Sequence, residues 1–140
     1  MYVSTNRQGT ILNLISSSFI SNYALTSGGG FYVATATFTT GVTLTSTTIS
    51  DMTASTNGGA FYLAGSDVTF NALSSNAYLT KALGGNGGFA YFANTGITLF
   101  TTESTFYNNT YASGDGGCLW IGGTTSTITF KGPSVQVYNS

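Results

Sequence analysis

Charge is nearly missing from this chain. Of 140 residues three are Lys or Arg and four are Asp or Glu, 5% in all against the roughly 25% usual in soluble domains, and there is no histidine. The three cations, Arg7, Lys81 and Lys131, are scattered and cannot neutralise a run of phosphates, so nucleic-acid binding has no electrostatic basis. A surface without like-charge repulsion favours association, which suits a fibre or coat better than a crowded cytosol. The lone Cys118 excludes an internal disulfide framework and reads as a small apolar side chain in a packed column. No apolar run reaches the roughly 18 residues needed to span a bilayer, so no membrane insertion by this chain is expected, and Met1 to Arg7 does not read as a secretion signal. No metal or cofactor site is expected either.

What the chain does have is 41% hydrophobic and 14% aromatic residues, enough to bury one core, and a repeat. Gly28-Gly29-Gly30-Phe31-Tyr32 recurs as Gly58-Gly59-Ala60-Phe61-Tyr62, Gly87-Gly88-Phe89-Ala90-Tyr91 and Gly116-Gly117-Cys118-Leu119-Trp120, a period of 29 or 30 residues. A second block recurs in the same order, once before the first of these and once after each: Leu12-Asn13-Leu14, Val42-Thr43-Leu44, Val68-Thr69-Phe70, Ile97-Thr98-Leu99 and Ile128-Thr129-Phe130. Its alternation of apolar and polar residues points two side chains in and one out, as in a strand. A third block begins at Phe19, Ile49, Ala77, Phe106 and Val137. Helical spacing is found nowhere, and the Gly and Thr content opposes helix. Three short strands per period predict an all-β right-handed parallel β-helix of about five coils in a single domain, residues 1–140. Strands should start near Tyr2, Leu12 and Phe19 in the first coil and near Trp120, Ile128 and Val137 in the last.

These residues resemble the pectin-lyase-like right-handed β-helix superfamily, and in particular the chlamydial polymorphic membrane protein repeat, with its GGA followed by an apolar residue and its FxxN. Gly58-Gly59-Ala60-Phe61 matches the first motif, and Phe19-Ile20-Ser21-Asn22 and Phe106-Tyr107-Asn108-Asn109 match the second. The resemblance implies an extracellular or cell-surface chain with adhesive roles. The other double glycines depart from GGA, and no autotransporter barrel fits in this length.

Catalysis finds little support. Asp51, Asp67, Glu103 and Asp115 fall at different phases of the repeat, whereas a glycosidase needs two carboxyl groups about 5 to 9 Å apart and a lyase needs a base with a cation. The glycine pairs lack the GK[ST] and the helix of a phosphate loop, and tight corners needing positive φ explain them. Tyr2, Tyr32, Tyr62, Tyr91 and Trp120 occupy one column, flanked by the small residues Ala34, Ala64, Ala93 and Gly122. Exposed, they would form a flat aromatic stripe suited to sugar rings or to a partner's face; the pattern leaves open whether they face out or in. Thr43, Thr69, Thr98 and Thr129 read as a second ladder, but the companion column Ile15, Thr45, Asn71, Phe100, Lys131 is too irregular for an ice-binding face. Asn108-Asn109-Thr110 is the only N-x-[ST] sequon, making Asn108 a candidate for glycosylation.

The expected function is therefore a non-catalytic extracellular structural protein. The chain holds whole coils with no capping segment, so its ends are expected to pair head to tail into a filament. The alternative is a carbohydrate-binding adhesin module using the aromatic column, and after that a polysaccharide lyase or hydrolase.

Overall fold

The computed structural model describes residues 2–4, 10–34, 39–64, 67–93, 97–102, 105–108, 110–122, 127–131 and 135–138. Among these residues every regular element is a strand and every strand pairing is parallel. β1 (Tyr2–Ser4), β4 (Phe31–Ala34), β7 (Phe61–Ala64), β11 (Ala90–Phe92) and β15 (Leu119–Ile121) form a first sheet, in that spatial order. β2 (Thr10–Ile15), β5 (Thr39–Thr45), β8 (Asp67–Leu73), β12 (Ile97–Thr102) and β16 (Thr127–Lys131) form a second. The third contains β3 (Ser18–Ala24), β6 (Thr48–Ala54), β9 (Asn76–Tyr78), β13 (Thr105–Asn108) and β17 (Val135–Tyr138), with β10 (Lys81–Ala82) and β14 (Tyr111–Ala112) continuing alongside the end of β6. The chain visits the sheets in rotation, so each strand pairs with the one a period later.

The inner faces of the three sheets meet in one apolar cluster. Phe31, Val33, Phe61, Leu63, Ala90 and Phe92 enter it from the first sheet, Leu14, Val42, Leu44, Val68, Phe70 and Ala72 from the second, and Ile49, Met52 and Ala77 from the third. Phe61 sits at its centre, with ring centroids 4.9 Å from Phe31, 5.4 Å from Phe70 and 5.5 Å from Phe89. Two of these three contacts are edge-to-face, the arrangement favoured by the ring quadrupole.

The expected strand starts lie within β1, β2 and β3 at one end and β15, β16 and β17 at the other. Three expectations need correction. The third strand is not uniform: Ser21, Asp51 and Leu79 all have positive φ, from 52° to 57°, which bends β3 and β6 in their middles and in the next period separates β9 from β10. In the second sheet Val42 pairs with Phe70 rather than Val68, and Leu99 rather than Ile97 pairs with Ile128. A two-residue slip leaves the alternation of faces intact, so the pattern could not detect it. In the third sheet Tyr107, not Phe106, lies opposite Ala77, which places Phe106 one position out of phase with Phe19 and Ile49.

Candidate binding face: the aromatic column

β1, β4, β7, β11 and β15 hold Tyr2, Tyr32, Tyr62, Tyr91 and Trp120 in strict register. The Phe, Ala and aliphatic residues on either side of Tyr32, Tyr62, Tyr91 and Trp120 are turned into or against the core, so the alternation of the strand sends these four side chains outward, where they are half-buried. The side chain of Tyr2 lies outside the described residues. The question of the buried face is thus settled by the larger apolar residues: Phe31, Phe61 and Phe92 outcompete the phenols, whose hydroxyls would go unsatisfied inside.

The rings stack as a continuous pile. Tyr32 and Tyr62 are 4.7 Å apart with planes 4° from parallel, Tyr62 and Tyr91 5.2 Å and 11°, Tyr91 and Trp120 4.3 Å and 1°. These steps follow the roughly 4.8 Å strand spacing. Parallel rings lying flat on the surface would need centres roughly 6–7 Å apart to keep carbon contacts near 3.5–4 Å. At the observed steps the planes must instead overlap face to face, tilted by no more than roughly 35–50° from perpendicular to the column. The column therefore presents ring edges and hydroxyls, and its inner faces are occupied by neighbouring rings. The flat stripe for sugar stacking expected from the sequence is not formed by these rings. Gly122 belongs to the arrangement: a Cβ there would strike the far edge of the Trp120 indole. Burial first, and then the phenols of Tyr32 and Tyr91, push Tyr62 above the ordinary tyrosine range.

The corners that feed this sheet are built by glycine. Gly28, Gly58, Gly87 and Gly116 have φ between 64° and 70°, a region that costs other residues free energy. The second glycine is needed for another reason: a Cβ on Gly59 would run into the Gly88 carbonyl and come within 2.8 Å of the Lys81 backbone. Just before these corners Asn57 Oδ1 accepts the Asn86 amide at 2.8 Å, and Asn86 Oδ1 accepts the Asp115 amide at 2.7 Å. Beside them an open cavity of about 560 Å³ is lined by Tyr23, Thr26, Ser27, Tyr32, Asn57 and Tyr62 among others.

A column that sequence reasoning missed closes the corner between the second and third sheets. Ser17 Oγ donates to the Ile15 carbonyl, Thr47 Oγ1 donates to Leu14 and Thr45 carbonyls, and Ser75 Oγ donates to Leu73 while accepting the Thr47 amide. The preceding serines, Ser16, Ser46 and Ser74, have φ of 46–48°. The signal was available in the recurring pairs Ser16-Ser17, Ser46-Thr47 and Ser74-Ser75.

The other expected sites are dispersed. Asp51 is exposed and accepts from Ser21 Oγ at 2.7 Å, and Asp115 is exposed at a corner in another period and column. The side chains of Asp67 and Asn108, and all of Glu103, lie outside the described residues. Thr43, Thr69, Thr98 and Thr129 do not form one ladder: Thr69 and Thr98 pair with each other and with Gly41 and Thr127, whereas Thr43 pairs with Asn13 and Asn71, and Thr129 with Phe100. The companion column becomes Ile15, Thr45, Leu73, Thr102, Lys131. Cys118 is buried; burial pushes its thiol up to about 12, with Thr110 pulling the other way. No group of three His, Cys, Asp or Glu able to hold a metal occurs among the described residues, and no described helix is long and apolar enough to cross a membrane. No family model, curated protein or solved structure matches the chain.

Proposed function

We propose that the chain is a right-handed parallel β-helix of about five coils, akin to the pectin-lyase-like superfamily and its polymorphic membrane protein repeats, and that it serves as a non-catalytic structural protein outside the cell or on its surface, stacking head to tail into a filament. The observation that carries this reading is the stacking of like on like. Tyrosines pile on tyrosines, asparagines cap asparagines and hydroxyls close successive corners, so the same contacts repeat along the direction in which the strands are added. A chain with 5% charged residues adds little repulsion between copies. Sedimentation velocity across a concentration series, with negative-stain electron microscopy of the same samples, tests the proposal. Concentration-dependent growth into thin unbranched filaments is expected; a monomer persisting at high concentration overturns it.

The cavity beside Tyr23, Tyr32 and Tyr62 favours a second reading, a carbohydrate-binding adhesin module. It offers aromatic walls next to the hydroxyls of Thr26 and Ser27 and the amide of Asn57, which together suit a sugar better than the closed ladder does. Glycan-array retention lost in Tyr23→Ala and Tyr32→Ala but kept in Trp120→Ala would favour this reading; retention by none of the three proteins removes it.

A further inference from the structure

The outer face of the third sheet is corrugated. Strand pairing puts Ile20, Ser50 and Tyr78 in one line and Tyr23, Thr53 and Lys81 in the next, and the ladder continues past the strand ends to Leu25, Ser55 and Leu83. Bulky side chains from β3 and from β9 and β10 therefore stand on either side of small ones from β6. Ile20, Tyr23 and Leu25 are 58, 59 and 81% exposed and Tyr78 and Leu83 39 and 49%, whereas Ser50, between Ile20 and Tyr78, is buried. The two ridges are two strand spacings apart, roughly 10 Å, and the groove between them is floored by Ser50, Thr53 and Ser55. A contiguous apolar patch of this kind marks a contact surface.

What fits this face is set by its spacing and its charge. A second copy carries ridges at the same spacing, and a two-fold axis can lie in the contact plane in two ways. Run along the direction in which strands are stacked, it sets ridge on ridge and Lys81 against the partner's Lys81. Run along the strands, midway between β6 and β10, it lays the ridge of Tyr78, Lys81 and Leu83 over the partner's groove. Asp51 and Lys81 are the only charged residues among the described residues of the third sheet, and both are exposed. The second axis brings Lys81 over the partner's Thr53, two residues from the partner's Asp51, and symmetry makes the contact twice. We propose that the outer face of the third sheet is an interface with a second copy of this chain, packed antiparallel, in which the ridge of each copy fills the groove of the other and Lys81 of each reaches Asp51 of the other. The contact is isologous and closes at two copies, so it goes beyond end-to-end stacking and holds whether or not the ends stack. Four strands by six residues make a face of roughly 19 by 20 Å, at the small end for a specific interface, so the dimer is reversible and sensitive to a single charge.

The full chain is prepared with light and with heavy nitrogen, the two preparations are mixed in low salt, and a carbodiimide is added, which joins an amine to a carboxylate only where they touch. Peptide mapping by mass spectrometry should find Lys81 of one isotope linked to Asp51 of the other. End-to-end stacking cannot produce that product, because it holds the middle strands of two copies far apart. In the dilute limb of a sedimentation series Lys81→Asp should weaken dimerisation at least ten-fold, since it sets two carboxylates against each other at both symmetric contacts. Adding Asp51→Lys in the same chain should restore most of the loss, with circular dichroism confirming that each variant is folded. The proposal is overturned if Lys81 couples to Asp51 only within one chain or not at all, if links between copies join only the end strands, or if the folded double variant dimerises no better than Lys81→Asp. The carbodiimide result on the unaltered chain decides the matter even where a variant fails to fold.

Discussion

Replacing Phe61 by Ala tests whether the cluster between the three sheets holds the fold together. Phe61 is 0% exposed and lies against Phe31, Phe70 and Phe89. Burying such a ring contributes about 1.5–3 kcal/mol by transfer from water. Truncation also leaves a cavity that strands paired on both sides cannot close, and the three ring contacts are lost, which together bring the expected cost to about 3–5 kcal/mol. For a chain of this length each kcal/mol moves the midpoint by roughly 4 °C, so thermal unfolding should begin about 12–20 °C earlier. Urea unfolding followed by far-ultraviolet circular dichroism measures the free energy directly, with Tyr62→Ala as the matched control from the outer face of the same strand. Tyr62→Ala removes a half-exposed ring with two stacked neighbours and should cost no more than about half as much. A Phe61→Ala loss below that of Tyr62→Ala would refute the assignment of inner and outer faces, and with it the core.

Gly59→Ala should destabilise by about 3 kcal/mol or more because its Cβ meets the backbone of Gly88 and Lys81; Gly30→Ala, whose nearest neighbours are the Ala60 carbonyl at 3.3 Å and the flexible Met52 side chain, should stay within about 1 kcal/mol of the parent in the same urea titration. Cys118 should resist alkylation in the native protein at neutral pH. Its thiol, raised to about 12 when folded, stays protonated while the unfolded thiol ionises near 8.5, so stability should fall above pH 8.5 by about 1.4 kcal/mol per unit, a slope that Cys118→Ala removes. Asn86→Asp should be less stable than Asn57→Asp by on the order of 1 kcal/mol in low salt, since only the former sets a carboxylate directly beside that of Asp115, and the difference should shrink in high salt.

The period, the all-β class and the register of the first sheet were legible because each leaves a mark at every repeat. Gly28, Gly58, Gly87 and Gly116 announce a positive φ, and the Tyr/Trp column needs no alignment beyond the glycines. The second sheet was harder. Strand alternation has period two, so Val42 set against Val68 and Val42 set against Phe70 give the same pattern of faces, and only the pairing geometry chooses the latter. The positive φ of Ser21, Asp51 and Leu79 could not be read at all, because three unrelated side chains share a conformation imposed by the bend of the third sheet. The orientation of the rings lay beyond the sequence for a different reason. A column of aromatics fixes their spacing, but whether they present faces or edges depends on that spacing being smaller than a ring is wide.

The same spacing accounts for the scarcity of charge with which the sequence begins. In a stack of parallel strands each side chain faces its counterpart a period away at about 4.8 Å, so a charge repeated in a column meets its own sign twice. Two unit charges at that distance repel by roughly 1 kcal/mol in water and roughly 3.5 kcal/mol at the effective dielectric of a protein surface. A neutral tyrosine, asparagine or threonine in the same place gains a stacking or hydrogen-bonding partner instead. The described charged residues obey this rule: Asp51 accepts from Ser21 Oγ, Lys81 stands between Thr53 and Tyr111, Asp67 pairs with Thr39, and Lys131 with Thr102. Asp115 follows two asparagines in its column, Asn57 and Asn86: the Asn86 amide donates to Asn57 Oδ1 and the Asp115 amide to Asn86 Oδ1, so its neighbour there is neutral. Neutral composition is therefore a consequence of stacking equivalent residues along one axis, and the weak repulsion it leaves between separate copies comes from the same cause.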